Sequence, residues 1–205
     1  MREEEDKKGF IMKAWMIFVL FFATAGFAVD RTYVGEDAGS WHDPANWDPP
    51  GVPDYADNVH IQEGDNVSAG GIGINVKGIY NEGQIDNAGN VQVSNDLLNN
   101  GVINDASNIN AGEIHNWENG EINGAKNIAA NRGLLNIGKI QGEDGENLNI
   151  KINCSELDSA VAVNGEGGQI LAQGDNACVN IVVKNVDFIN KGEISAPKEV
   201  RIDGE

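Results

Sequence analysis

The sequence predicts an all-β fold: a single-stranded parallel β-helix, or solenoid, with 18 to 19 residues per coil and an N-terminal cap. Three observations carry this expectation. Gly83, Gly101, Gly120 and Gly138 recur at spacings of 18, 19 and 18, each followed two positions later by Ile85, Ile103, Ile122 or Ile140. Four of the five prolines fall between Pro44 and Pro53 and the next is Pro197, so Asp54 to Ala196 lacks the residue that cannot donate to a strand ladder. The apolar residues sit in short β-branched clusters, broken every few positions by Gly or Asn, rather than on the 3.6-residue period of a helix.

From the N-terminus, residues 1–28 read as a secretory signal peptide. The apolar run from Ala14 to Thr24 follows Lys13 and is too short for a comfortable membrane span, and small residues offer cleavage after Ala25 or, preferably, after Ala28. Met12-Lys13 makes a more ordinary start than the acidic stretch Met1–Asp6, so Met12 is the alternative true start. A secreted or cell-surface location is therefore expected. This segment holds Arg2, Lys7, Lys8 and Lys13 against Glu3, Glu4, Glu5 and Asp6, so its removal leaves the net charge of −18 unchanged. A surface of that sign repels nucleic acid and anionic lipid, which argues against a nucleic-acid partner and, after cleavage, against a membrane one. The sequence does not define an oligomeric state.

Residues 29–65 form a Trp- and Pro-rich cap segment centred on "GSWHDPANWDPPGVPDYADNVHI" (39–61). Two readings stand for Trp41, Trp47 and Tyr55. They cover the open first coil, whose unpaired strand edge would otherwise template aggregation, or they form a platform that stacks on sugar rings.

The solenoid is expected over 66–205, with regular repeats over 83–148 and irregular coils over 149–205. "GQIDNAGNV", "GVINDASNI" and "GEINGAKNI" align without gaps, which puts Ala88, Ala106 and Ala125 in one column and Asn90, Asn108 and Asn127 in another. Stacked at about 4.8 Å, equivalent residues form ladders. The Ile85 series and the Val91, Ile109, Ile128 series are expected inside, each side chain contributing about 1.5–3 kcal/mol on burial. Asn90, Asn108 and Asn127 are expected to form an amide ladder along a corner, and the left-handed tolerance of Asn and Gly suits the tight corners themselves. The segment 109–120 needs one inserted residue, within the span holding His115 and Trp117; a bulge or corner is expected there, and Trp117 joins Trp41, Trp47 and Tyr55 as a candidate glycan-contact aromatic. The six-residue spacing of Ile85, Val91, Leu97, Ile103 and Ile109 also resembles left-handed hexapeptide helices, but there the Gly follows the aliphatic residue; the crossover bias favours the right-handed form.

The pattern leucine, Asn, any, Gly, any, Ile in "LNNGVI" (98–103) and "LNIGKI" (135–140) resembles the right-handed β-helix repeats of filamentous-haemagglutinin-like and autotransporter-like bacterial surface proteins. The resemblance covers roughly 72–148 and implies a surface solenoid. Neither a β-barrel translocator nor an "NPNL"-type secretion motif accompanies it. The Trp-rich segment is loosely similar to the start of G8-type domains, over a stretch that carries no catalytic residue across.

Chemistry is sparse. Cys154 and Cys178, an even count in an exported chain, lie 24 apart; read as one coil plus a loop of about five residues, that spacing predicts a disulfide between adjacent coils. Glu143, Asp144 and Glu146 are weak calcium candidates, and no other cofactor is expected; "GGIGIN" (70–75) nearly matches a calcium-binding nonapeptide but occurs once. His42, His60 and His115 are dispersed without zinc or triad spacing. Asp86, Asp96 and Asp105 are the acidic residues placed for a shared face, and no glycosidase motif is present. The expectation is a structural or adhesive element presenting a rigid surface to a glycan or a surface protein. A carbohydrate-active β-helix enzyme and the N-terminal fragment of a larger adhesin are the alternatives.

Overall fold

The computed structural model describes residues 29–154 and 162–204; the signal peptide expected at 1–28 lies outside them. The described chain is all-β, a β-solenoid of about seven turns built of parallel stacked strands. Each regular coil has three walls. Short strands, among them Gln84–Asp86, Val102–Ile103, Glu121–Ala125 and Lys139–Asp144, stack into one eight-stranded parallel sheet. The longer strands Asn90–Asn99, Asn108–Asn116 and Asn127–Asn136 bend across the other two walls. Their first halves stack with Ile74–Val76 and Leu148–Asn153, and their second halves with Gly78–Asn81 and Ala162–Asn164.

The interior columns are those the repeat predicts. Ile85, Ile103, Ile122 and Ile140 are register partners along the short-strand sheet, continued by Ile170, and all five are at 0% exposure. Val91, Ile109 and Ile128 stack with Ile74 before them and Ile150 after. A third column, Ile79, Leu97, Ile114 and Leu134, lines the remaining wall. Ala88, Ala106 and Ala125 are fully buried at the corner after the short strands.

The two corners use Gly and Asn differently from expectation. Left-handed backbone is confined, within the regular repeats, to the corner after the short strands, at Asn87, Gly89, Asp105, Gly124 and Gly145. The repeating Gly101 column is in ordinary backbone geometry; a Cβ on Gly101 would strike the carbonyl oxygen of Gly83 one coil below, so this glycine permits close stacking rather than a left-handed turn.

Two asparagine ladders run along the stack. The expected one joins Asn90, Asn108, Asn127, Asn149 and Asn180 by side-chain hydrogen bonds of 2.6–3.1 Å, and it is solvent-exposed. The other is buried: Asn81, Asn99, Asn116, Asn136 and Asn164 are at 0% exposure, and each Nδ2 donates to the next Asn Oδ1 at 2.7–2.8 Å, ending on Asn190. Each Nδ2 also reaches a backbone carbonyl of the next coil, Val102, Glu121, Lys139, Gln169 or Glu193, at 3.1–3.2 Å. Ladder bonds thus satisfy amides that would otherwise be costly inside. The ladder starts at Asn81 because Ile61 holds the equivalent place one coil earlier, and Asn81 Oδ1 has no partner.

The inserted residue of 109–120 is a net result of two changes. The register slips by one at Gly112, which faces both Ser94 and Asn95 of the neighbouring coil, and the following turn, Trp117 to Gly120, is two residues longer than its neighbours.

The predicted disulfide is not formed: Cys154 and Cys178 are buried free thiols. The coil between their strands is longer than the 24-residue spacing implied, since Asn149 stacks on Asn180, 31 positions on. Cys154 follows Asn153 at one end of that strand pair and Cys178 precedes Val179, the partner of Leu148, at the other. Six residues of strand, roughly 20 Å at ~3.3 Å per residue, separate the two ends, far beyond disulfide reach. Cys154 Sγ instead donates to the Arg132 carbonyl at 3.1 Å, and burial, with the nearby Glu113 charge adding to it, pushes its thiol pKa up.

At the first turn, Asp30–Tyr33 stacks in parallel on Asn58–Ile61 and Gly39–Ser40 on Asn66–Ser68, so the Trp-rich segment is itself built into the stack. Trp47–Asp48 pairs antiparallel with Thr32 and Tyr33 and blocks that edge. Arg31 Nε meets the buried Asp57 carboxylate at 2.6 Å, and the Val29 and Asp54 amides donate to the same group. Burial alone would raise the Asp57 pKa; the hydrogen bonds from Arg31, Asp54 and Val29 and the Arg31 charge outweigh it and hold the carboxyl below its usual range. At the opposite end the interior columns surface, with Val200 38% and Ile202 48% exposed on the last strand, Glu199–Gly204.

Candidate functional site

The outer faces of the three walls differ in chemistry. Outside the Asn90–Asn127 half of the long strands lies the exposed amide ladder. Outside the other half, the residue preceding each buried Asn points out, and register stacks Thr32, His60, Tyr80, Leu98, His115, Leu135 and Val163 in one column. From Tyr80 onward this column is predominantly apolar and half-buried, an uncommon composition for the solvent side of a sheet. It arises from strand alternation: Leu97 and Leu134 turn inward, so the next residues, Leu98 and Leu135, turn outward.

The aromatic part is braced. Tyr80 Oη donates to Glu82 Oε1 at 2.7 Å, and His60 Nε2 lies 3.2 Å from Glu82 Oε2. The Tyr80 and His60 hydrogen bonds, in that order, hold the Glu82 carboxyl below the usual range, and Glu82 in turn pushes the Tyr80 phenol up. The Tyr80 ring lies 4.9 Å from His60 and edge-on to Trp117 at 6.0 Å. The longer turn at Trp117 brings that indole over the column, although Tyr80 belongs to an earlier coil.

Beside this column, Asp96 and Glu113 are register partners on adjacent strands. Arg132 bridges them, Nη2 to Asp96 Oδ1 at 2.6 Å and Nε to Glu113 Oε1 at 3.6 Å, while His115 Nε2 stands 3.3 Å from Glu113 Oε2. Both carboxylates face one guanidinium, an arrangement that pairs charges rather than setting an acid apart from a nucleophile across a sugar. No family model, curated protein or solved structure matches this chain. The likeness to filamentous-haemagglutinin-like repeats and to G8-type segments therefore rests on short motifs alone.

The residues singled out from the sequence separate accordingly. Trp41 and Trp47 are 1% exposed and pack edge-to-face at 4.9 Å, with Tyr33 5.4 Å from Trp47. Trp47 Nε1 donates to the Trp41 carbonyl at 2.8 Å, so both indoles are spent on the first turn and neither can stack on a ligand. Tyr55 is 69% exposed and makes no ring contact with the described aromatics of the column. Trp117 alone of the four lies on the aromatic face. Glu143 and Glu146 are partly exposed carboxylates facing Lys126 Nζ at 3.2 and 3.6 Å, and Asp144 is exposed beside them. Asp86 and Asp105 sit at the short-strand corner, away from Asp96, so the three do not share a face. Among the described residues no group of three or more His, Cys, Asp or Glu is placed to hold a metal ion. His60 and His115 share the outward column three strand spacings apart, about 14 Å.

Proposed function

We propose that this protein is an exported structural or adhesive β-solenoid that holds a glycan against one flat wall, the column from His60 to Val163 with Trp117 above it. The single observation that supports the reading is the braced Tyr80–Trp117 pair on an outward sheet face. Aromatic rings that are apolar on the face and polar at the edge, held rigid before binding, suit the mixed surface of a sugar. The mechanism is passive: parallel stacking fixes the spacing of the wall, and a chain-like ligand meets repeated contacts. A glycan array probed with the protein and with a Tyr80→Ala/Trp117→Ala variant tests it. Retention by the parent and loss in the variant is expected; equal retention by both would sink the proposal.

A second reading has its own support. The exposed Val200 and Ile202 continue interior columns, and among the described residues Glu199–Gly204 pairs with Cys178–Lys184 alone, so this edge has the form that takes another coil, as the larger-adhesin alternative requires. Extending the reading frame beyond residue 205 tests that alternative directly.

A further inference from the structure

One position on the aromatic wall is missing a side chain. Gly78 lies between Asn58 on the preceding coil and Asp96 on the following one. Its backbone is outside the left-handed region, so no turn requires a glycine here. An added Cβ would lie 2.8 Å from Asn58 Oδ1 and 3.7 Å from the Asp96 carbonyl oxygen. The missing side chain leaves an open depression of about 190 Å³, lined by Asn58, Gly78, Tyr80, Asn95, Asp96 and Leu98. Around it stand one aromatic and one aliphatic residue, two asparagines and an aspartate. Asn58 is oriented by its Nδ2 bond to Asp30 Oδ1 at 2.8 Å, Asp96 by Arg132, and Tyr80 by Glu82.

We propose that this depression is the subsite for one neutral pyranose unit of a polysaccharide that runs along the column. The inference rests on the glycan reading and narrows it. The volume is below the roughly 300–1,000 Å³ of clefts that enclose drug-sized ligands, so it takes a single ring. That ring packs against Tyr80 and Leu98, and its hydroxyls meet the Asn58 and Asn95 amides and the Asp96 carboxylate. A pyranose advances by close to one strand spacing, ~4.8 Å, so neighbouring units of an extended chain meet the column on neighbouring coils. Neutrality follows from charge. The chain carries −18, and Glu82, Asp96 and Glu113 lie on or beside this wall with the single Arg132 guanidinium shared between the last two, so the wall stays net acidic and a uronate polymer is repelled.

The test is co-sedimentation of the full chain with insoluble cellulose, mannan and chitin, and gel retardation with polygalacturonate as the anionic polymer. Gly78→Val fills the depression with a residue that strands favour, and Asn95→Ala removes an exposed amide whose loss leaves the stack intact. Binding to at least one neutral polymer is expected, weakened about tenfold in Gly78→Val and measurably in Asn95→Ala, the latter at an unchanged urea midpoint. If Gly78→Val shifts the midpoint, Asn95→Ala decides. Parent-like binding by both variants, with loss in Trp117→Ala, overturns the subsite and leaves the glycan reading standing. Binding to polygalacturonate alone overturns the neutral ligand class. No binding to any of the four polymers overturns the subsite together with the reading it rests on.

Discussion

Replacing Asn116 by Ala should destabilise the protein far more than replacing Asn108, although both belong to asparagine ladders of similar geometry. Asn116 is at 0% exposure. It accepts from Asn99 Nδ2 at 2.8 Å and donates to Asn136 Oδ1 at 2.8 Å and to the Gly120 and Lys139 carbonyls at 3.1 Å. Counting one accepted bond and two donated protons at a net ~0.5–1.5 kcal/mol each, plus the stranded Asn136 Oδ1, the cost is about 3–5 kcal/mol. Asn108 donates to Asn90 at 2.6 Å and accepts from Asn127 at 2.8 Å, but water replaces both partners, so less than about 1 kcal/mol is expected. At ~2–4 °C per kcal/mol for a chain of this size, Asn116→Ala should melt roughly 10 °C lower and Asn108→Ala nearly unchanged. Urea unfolding followed by far-ultraviolet circular dichroism and by Trp fluorescence is the assay. The two probes must coincide before midpoints become free energies, because stacked repeats unfold piecewise when cooperativity fails. Equal losses in the two variants would refute the claim that burial, rather than the ladder as such, gives the inner asparagines their weight.

Ile109→Asp places a carboxylate in a column that is 1% exposed and should abolish cooperative unfolding; near-native melting would mean that the column is not interior. Asp57 has a depressed carboxyl, so its stabilisation is complete above the unfolded carboxylate pKa of about 3.9 and is lost as pH falls through the lower folded value. Asp57→Asn should therefore cost about 2–4 kcal/mol near neutral pH, by orphaning Arg31, and should flatten the acid limb of a stability profile; an unchanged acid limb would count against the Arg31–Asp57 pair. Thiol titration of the non-reduced protein should find Cys154 and Cys178 slow to label when native and both labelled once denatured, whereas no titratable thiol after denaturation would restore the disulfide.

Much of the fold was legible because a stacked coil writes its period into the sequence. Gly83, Gly101, Gly120 and Gly138 mark the turns, and the following isoleucines mark the interior, since each must repeat wherever the backbone repeats. The spacing of the two cysteines misled because coil length ceases to be constant after Gly142: Asn127 stacks on Asn149, 22 positions on, and Asn149 on Asn180, 31 positions on, and a sequence separation gives a stacking distance only while coil length is constant. The wall was hidden for a different reason. The leucine and Asn of "LNNGVI" and "LNIGKI" were visible as a motif, yet nothing in the motif states which of Leu97 and Leu98 turns inward. That choice depends on the bend within Asn90–Asn99, and a one-residue change in phase exchanges the two faces. The signal that would have found the wall is the residue before each buried Asn: Tyr80, Leu98, His115, Leu135 and Val163.

That adjacency links stability to the proposed binding. From Tyr80 onward, each outward residue of the wall is covalently next to a fully buried ladder asparagine: Tyr80 to Asn81, Leu98 to Asn99, His115 to Asn116, Leu135 to Asn136 and Val163 to Asn164. From Asn81 onward the ladder ties each coil to the next by a side-chain bond and a side-chain to backbone bond at this one corner, so the spacing of the wall is set from beneath it. A ligand that meets several coils at once gains only if their spacing is fixed before it arrives, because any freedom left in the wall is paid for on binding. Asn116→Ala should therefore weaken retention on a polymer more than its loss of folded protein accounts for, even at temperatures where the variant is fully folded. A single-sugar contact, by contrast, should be nearly unaffected by it. Measuring both in the same variant separates a wall that works as a ruler from a lone pocket at Gly78.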